Sequence, residues 1–233
     1  MYPTPQEKAV IHEAEQIMVE TMARYDPSHD KYHVYRVHKT ALLLANSLTK
    51  KVDFLVVELA ALLHDVLDKK YVSAEEAANP YEYFLPFFQR IATAHDVDLI
   101  SDGRGKLIAQ VIDNVSWSTE KRLRQQGLWT EWHDTCLELH CVQDADRLDA
   151  IGAFGILRCA AYASHTNCPL HTPSDDPELP KSSIEHFHDK LLHIRERLKT
   201  DQGRKLGDKR HEVLLNFLAS IEEEYATVPN QSH

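Results

Sequence analysis

The apolar segment at residues 53–67, DFLVVELAALLHDVL, constrains the fold more than any other part of the chain. A helix that is apolar on nearly every side must be enclosed by other elements, so we expect it at the centre of a helical core. The segment nevertheless carries an imidazole and a carboxylate side by side, at His64 and Asp65. Burying a polar group without a partner costs roughly 2–7 kcal/mol, and a charge costs more, so something must compensate both groups.

The remaining chain also follows helical periodicity, which predicts an all-α bundle. Glycine occurs only 7 times in 233 residues, which disfavours sheets joined by tight turns. Further helices are expected over about 6–24, 26–48, 107–115, 137–163, 184–199 and 204–225, with short helices between 68 and 101.

The clearest loop is residues 164–183, SHTNCPLHTPSDDPELPKSS, which has four prolines and no periodicity. Two helices follow this loop, and two helices rarely form a core alone. We therefore expect one domain over residues 1–233, with about 181–225 packing back onto the main bundle.

The composition opposes several classes of partner. A net charge of −10 lowers the expectation of a nucleic-acid partner. No apolar run approaches the length of a membrane span. The opening residues, MYPTPQEKAV, lack the apolar stretch of a signal peptide, so we expect a cytoplasmic protein. The four cysteines form no CxxC pair and are expected to be reduced.

Two interpretations fit the buried His64–Asp65 pair. A metal ion accepts a neutral imidazole and an anionic carboxylate together. Alternatively, the pair satisfies itself with backbone and neighbouring groups. His33 lies on an apolar helical stripe with Val37 and Ala41, so it faces the same core and is a candidate ligand, whereas His38 lies off that stripe and is expected to be exposed.

Three aspartates stand in the otherwise apolar segment VQDADRLDAIGAFGILR: Asp144, Asp146 and Asp149. A helical residue turns by about 100° from its neighbour, so Asp144 and Asp146 point to nearly opposite sides. Asp146 and Asp149 share a face, where one can be a ligand while the other orients a ligand or water.

These features resemble the H…HD…D signature of the HD-domain metal-dependent phosphohydrolases. The signature corresponds here to His33, His64, Asp65 and Asp146, because the last ligand of this superfamily is the Asp of an A-D-x-L element. The resemblance extends over about residues 10–225 and is strongest to the small bacterial YedJ/YpgQ-type proteins. It is carried by the segments HDKYHVYRV, AALLHDVLDKKY, VIDNVSWS, VQDADRLDAIGAFGILR and HFHDKLLHI.

The resemblance implies an HD-domain helical bundle and a hydrolase. We expect it to cleave a phosphoester or phosphoanhydride of a nucleotide, or of a similar small phosphorylated metabolite, through a metal-activated water. Two imidazoles and two carboxylates suit Mn²⁺, Fe²⁺, Co²⁺, Ni²⁺ or Zn²⁺, and Mg²⁺ is also considered. The substrate, the bond cleaved and the oligomeric state are left open.

Charged residues near the motif are candidates for further roles. Asp68 is expected to orient or deprotonate the water, and Lys69 to contact phosphate; the alternative for both is an ordinary charged helix end. Further candidate anion contacts are Arg36, Arg147, Lys190 and Arg210.

Two other functions remain open. The chain can be a nucleotide-sensing HD module that does not turn its ligand over. It can also be a di-iron HD-type oxygenase, which requires two more histidines between the doublet and the last Asp. His95, His133 and His140 lie in that interval, although their surroundings look exposed.

Overall fold

The computed structural model describes residues 2–68, 72–73 and 75–226. Throughout these ranges every regular element is a helix, which confirms the all-α fold class. The described residues divide into two compact units. The first comprises those of Met1–Tyr25 and His29–Asp146, and the second those of Asp26–Ser28 and Arg147–His233. No helix in the described ranges is both long enough and apolar enough to cross a membrane.

The first unit contains the N-terminal helices of the chain. They are α1 (Pro5–Met22), α2 (Lys31–Ser47), α3 (Phe54–Leu63), α4 (Pro80–His95), α5 (Arg104–Asp113), α6 (Trp117–Gln125), α7 (Glu131–Thr135) and, as far as Asp146, α8 (Leu137–Asp149).

The apolar helix α3 forms the core of this unit. Its first turn is capped by the Asp53 carboxylate, which accepts hydrogen bonds from the backbone N–H groups of Leu55 and Val56. Every residue from Leu55 to Leu63 is buried, and α3 packs against α1, α2 and α5. The central position expected from its composition is therefore observed.

The helix ends earlier than its hydrophobic pattern suggests. We expected it to continue to Leu67, but α3 stops at Leu63 and residues 64–67 form turns. The Val66 N–H donates to the Leu63 carbonyl at 3.1 Å, and the Asp68 N–H to the Asp65 carbonyl at 3.1 Å. These bonds span three residues instead of the four of an α-helix, so His64 and Asp65 lie in a turn.

The start of α2 also differs from expectation. The helix was expected to begin at residue 26, but Pro27–His29 forms a short 3-10 turn and α2 begins after Asp30. The Asp30 carboxylate accepts a hydrogen bond from the His33 backbone N–H at 2.9 Å. This cap fixes the first turn of the helix that carries His33.

The second unit contains the end of α8 together with α9 (Gly152–His165), α10 (Ser183–Asp189) and α11 (Asp201–Ala226). Within it, α9 packs against α11 and α10. The single helix expected over 137–163 was wrong, because α8 ends at Asp149 and α9 begins only at Gly152. Ile151 between them is extended and Gly152 has a φ of +74°, neither of which fits a continuous helix. The packing expected for residues 181–225 stays a prediction.

Candidate metal centre

Four side chains from three segments converge in the first unit. His33 comes from α2, His64 and Asp65 from the turn after α3, and Asp146 from α8. The His33 Nε2 atom lies 3.2 Å from Asp65 Oδ2 and 3.7 Å from Asp146 Oδ1. The His64 Nε2 atom lies 3.4 Å from Asp65 Oδ1 and 3.9 Å from Asp146 Oδ1. We call these four residues the HHDD cluster.

The two imidazole rings face the cluster through their Nε2 atoms. The ring centroids of His33 and His64 are 5.4 Å apart and meet edge to face. The His64 Nδ1–H donates to the Ala61 carbonyl at 2.8 Å, which fixes the ring within its own turn. In the neutral ring this bond leaves a lone pair on Nε2, and that buried atom makes no hydrogen bond among the described residues.

The cluster is closed on the histidine side and open on the aspartate side. The side chains of His33 and His64 are each 1% exposed, whereas Asp146 is 29% exposed. A small ligand can therefore approach the four donor atoms along the Asp146 carboxylate.

The Asp65 carboxyl is held in its charged form by its neighbours. Burial is the largest influence on its pKa and acts to raise it. The positive charge of His64, the hydrogen bond and charge of His33 and the charge of His29 together outweigh burial, so the pKa of Asp65 lies well below its usual range.

The donor set fits a divalent ion. Each imidazole Nε2 atom lies within 4 Å of an oxygen atom of each carboxylate, and lone pairs at these distances repel unless a proton or a cation lies between them. Throughout the described ranges, His33, His64 and Asp146 form the one group of three or more such residues whose donor atoms converge, all within 4.8 Å. A His₂Asp₂ set suits Mn²⁺, Fe²⁺, Co²⁺, Ni²⁺ and Zn²⁺ better than Mg²⁺.

The other two aspartates of α8 occupy different surroundings. Asp144 is fully buried and is not part of the converging group. Asp149 belongs to the second unit, where its Oδ2 atom lies 3.2 Å from the Arg158 Nη1 atom. The opposite orientation of Asp144 and Asp146 expected from helical geometry agrees with these positions.

Asp68 and Arg36 also lie in the first unit. Asp68 is half-buried just after the turn, three residues beyond Asp65, and Arg36 is half-buried on α2. Lys69 lies outside the described residues. The roles assigned to all three stay predictions.

The other predicted anion contacts, Arg147, Lys190 and Arg210, belong to the second unit. The Arg147 guanidinium donates to the Arg197 carbonyl at 2.7 Å, and that of Arg210 donates to the Leu148 carbonyl at 2.5 Å. Lys190 is exposed at the end of α10. Their contacts with a substrate also stay predictions.

The three histidines considered as extra ligands of a di-iron oxygenase make hydrogen bonds to other protein groups. The His133 Nδ1 atom accepts from the Thr130 N–H at 3.1 Å, and its Nε2–H donates to Asn114 at 3.2 Å. The His140 Nε2–H donates to the His133 carbonyl at 2.9 Å, and His95 Nε2 lies 2.6 Å from Glu13. His133 and His140 are buried, so the expectation that they are exposed was wrong.

Three further contacts lie in the same unit as the cluster, and none of them was predicted from the sequence. His38, expected to be exposed, lies 2.8 Å from the buried Glu58 carboxylate, which also accepts a hydrogen bond from the Tyr2 hydroxyl.

The His29 ring centroid lies 5.9 Å from that of His33. The Tyr25 hydroxyl donates to the Val66 carbonyl in the turn that holds His64 and Asp65. Only His29 had a local signal, because it precedes His33 by one helical turn.

Sequence comparison places this arrangement in a family. The HD domain model matches residues 31–151, which include all four residues of the HHDD cluster. The YpgQ protein of Bacillus subtilis is 32% identical over 201 residues, which cover 84% of each chain.

Solved structures agree with the sequence match. The Lin1889 protein of Listeria innocua superposes with a TM-score of 0.69 at 25% identity, covering 95% of this chain and 98% of the other. YpgQ in complex with ADP gives 0.65 at 25% identity, covering 97% and 98%. An HD-superfamily hydrolase of Bacillus thuringiensis gives 0.66 at 25% identity, covering 95% and 99%. The chain therefore belongs to the HD domain family.

Proposed function

We propose that this protein is a divalent-metal-dependent phosphohydrolase that acts on a nucleotide or a similar small phosphorylated metabolite. The observation that carries the proposal is the HHDD cluster, whose buried His64 Nε2 atom lies within 4 Å of two carboxylates and makes no hydrogen bond to any described residue. A histidine fixed through Nδ1 with a free Nε2 lone pair is the usual arrangement of a metal ligand.

The HHDD cluster would hold the ion and leave one side of it accessible to the substrate. His33, His64, Asp65 and Asp146 would hold it, and two negative carboxylates offset its charge. A bound divalent ion polarises a phosphoryl group and lowers the pKa of water toward neutrality. The exposed side of Asp146 leaves room for the phosphate group to enter.

Protein groups outside the cluster would complete the reaction. Asp68, three residues beyond Asp65, would accept a proton from the attacking water. Arg36, one helical turn beyond His33, would offset the negative charge of the phosphate. The leaving phosphate or alcohol oxygen departs on the opposite side of the phosphorus and takes up a proton from solvent.

A nucleotide is proposed because YpgQ, a relative of similar length, has been solved in complex with ADP. The hydrolase of Bacillus thuringiensis supports hydrolysis in the same way. Both statements concern those proteins and serve here as support for the substrate class.

A substrate panel tests the proposal. The chelator-treated protein is assayed against nucleoside mono-, di- and triphosphates and simple phosphate esters, with Mn²⁺, Co²⁺, Ni²⁺, Zn²⁺ or Mg²⁺ added back. We expect hydrolysis of at least one nucleotide that requires the metal and is lost in His64→Gln. Tight nucleotide binding without hydrolysis under any metal would contradict the proposal and support a sensing module.

A further inference from the structure

We infer that Tyr25 is a positioning residue for the metal centre, because its hydroxyl holds the turn that presents His64 and Asp65. The inference rests on the proposed function, because it concerns how firmly the proposed metal ligands are held in place. The contact itself, from the Tyr25 hydroxyl to the Val66 carbonyl at 3.3 Å, joins residues 41 positions apart.

The turn depends on contacts of this kind because the helix no longer supports it. After Leu63, the backbone hydrogen bonds at Val66 and Asp68 each span three residues. Such short turns have poorer hydrogen-bond geometry than an α-helix. His64 and Asp65 both lie inside this stretch, so a small shift of the turn moves two of the four proposed ligands together.

Tyr25 is well placed to stabilise the turn from outside. It follows the end of α1, where its backbone N–H donates to the Met22 carbonyl at 3.1 Å. Helix α1 packs against α3, so the tyrosine links the end of one core helix to the turn that ends another.

The hydroxyl stays a proton donor at neutral pH. Burial, followed by the negative charges of Asp65 and Asp68, raises the pKa of Tyr25 to about 12. A protonated phenol can donate to the Val66 carbonyl, whereas a phenolate cannot.

Removing the hydroxyl alone tests the inference. Tyr25→Phe keeps the ring and is compared with Tyr35→Phe, in which the lost hydroxyl donates to Glu15 at 2.7 Å between α1 and α2. The two tyrosines match well, since the pKa of Tyr35 is also raised to about 12, first by its bond to Glu15 and then by burial.

Two measurements on the metal-free protein precede any assay of activity. Calorimetric titration with Mn²⁺ should give a dissociation constant about 10-fold higher for Tyr25→Phe than for wild type, and little change for Tyr35→Phe. Hydrogen exchange at the amides of Val66 and Asp68 should be about 2- to 10-fold faster in Tyr25→Phe alone. The melting temperatures of the two variants should be similar.

Each result of the titration and exchange measurements supports or overturns a stated claim. Equal Mn²⁺ affinity in wild type and Tyr25→Phe, or equal weakening in both variants, overturns the role of Tyr25. Absence of Mn²⁺ binding in wild type contradicts the proposed function instead. In that case the exchange rates still decide whether Tyr25 holds the turn: faster exchange in Tyr25→Phe alone supports it, and unchanged exchange overturns it.

Discussion

The Nε2 atom of His64 lies 3.4 Å from the Oδ1 atom of Asp65, the next residue in the chain. Neighbouring residues of a regular helix point about 100° apart, which separates their side chains. Here α3 ends at Leu63, and the turn allows both side chains to face the same point. Both side chains contribute to the HHDD cluster from this turn.

The two aspartates of α8 should differ in their effect on metal binding. We expect Asp146→Asn to weaken Mn²⁺ binding by at least about 10-fold, because it removes a charged ligand. Asp144→Asn should bind Mn²⁺ like wild type, since Asp144 is buried outside the converging group. Calorimetric titration of both variants measures the difference, and equal weakening would refute the choice of Asp146.

Asp68 should affect catalysis more than metal binding. If it orients or deprotonates the attacking water, Asp68→Asn lowers kcat by roughly 10²–10⁴. Metal content and KM should stay near wild type, because Asp68 is outside the HHDD cluster. Steady-state kinetics measure kcat and KM with a nucleotide that the wild-type protein hydrolyses. Full activity with intact metal would remove Asp68 from the mechanism.

A matched pair of leucine variants tests the central role of α3. Leu59 is fully buried in this helix, whereas Leu43 of α2 is 46% exposed. Leu59→Ala should lower the free energy of unfolding by about 2–5 kcal/mol, because it leaves a cavity in the core. Leu43→Ala should change it by about 0.5 kcal/mol or less. Denaturant titration compares them, and similar effects would argue against α3 as the core.

Glu13 should make stability depend on pH in the acid range. Burial acts to raise the pKa of this carboxyl, but the hydrogen bonds and charges of Arg90 and His95 outweigh it, so the pKa falls below its ordinary 4.5. A carboxyl with a lowered pKa in the folded chain contributes stability above its unfolded pKa. That contribution is lost as the pH falls through the folded value.

We therefore expect Glu13→Gln to destabilise the protein at pH 7 by about 0.2–1 kcal/mol, the range of exposed ion pairs. The difference should vanish well below pH 4. Thermal unfolding at several pH values measures it, with the exposed Glu20→Gln on the same helix as control. A difference that persists at low pH would show that charge is not the cause.

Local patterns predicted where helices occur better than they predicted where helices end. The buried stripe of His33 and the apolar setting of His64–Asp65 were visible because burial of polar groups is unusual. The break before α9 lies at the extended Ile151 and the positive φ of Gly152, within a stretch whose helical periodicity continues through both. Conversely, α4 continues through Pro86, where the sequence suggested short helices.

Contacts between distant residues had no local signal. Glu58 looks misplaced in an apolar helix until His38 and Tyr2 are seen beside it. The buried histidine His133 is satisfied by Asn114 and Thr130, which precede it by 19 and 3 residues. Tertiary packing determines these polar partners, and the hydrophobic periodicity of the sequence does not predict them.

Metal content per chain tests the central claim most directly. Elemental analysis is made on wild type, His64→Gln and the control His38→Gln, whose histidine pairs with Glu58 outside the cluster. The HHDD cluster predicts one divalent ion per chain in wild type and in His38→Gln, and loss of that ion in His64→Gln. No ion in wild type, two ions per chain, or an undiminished content in His64→Gln would contradict it.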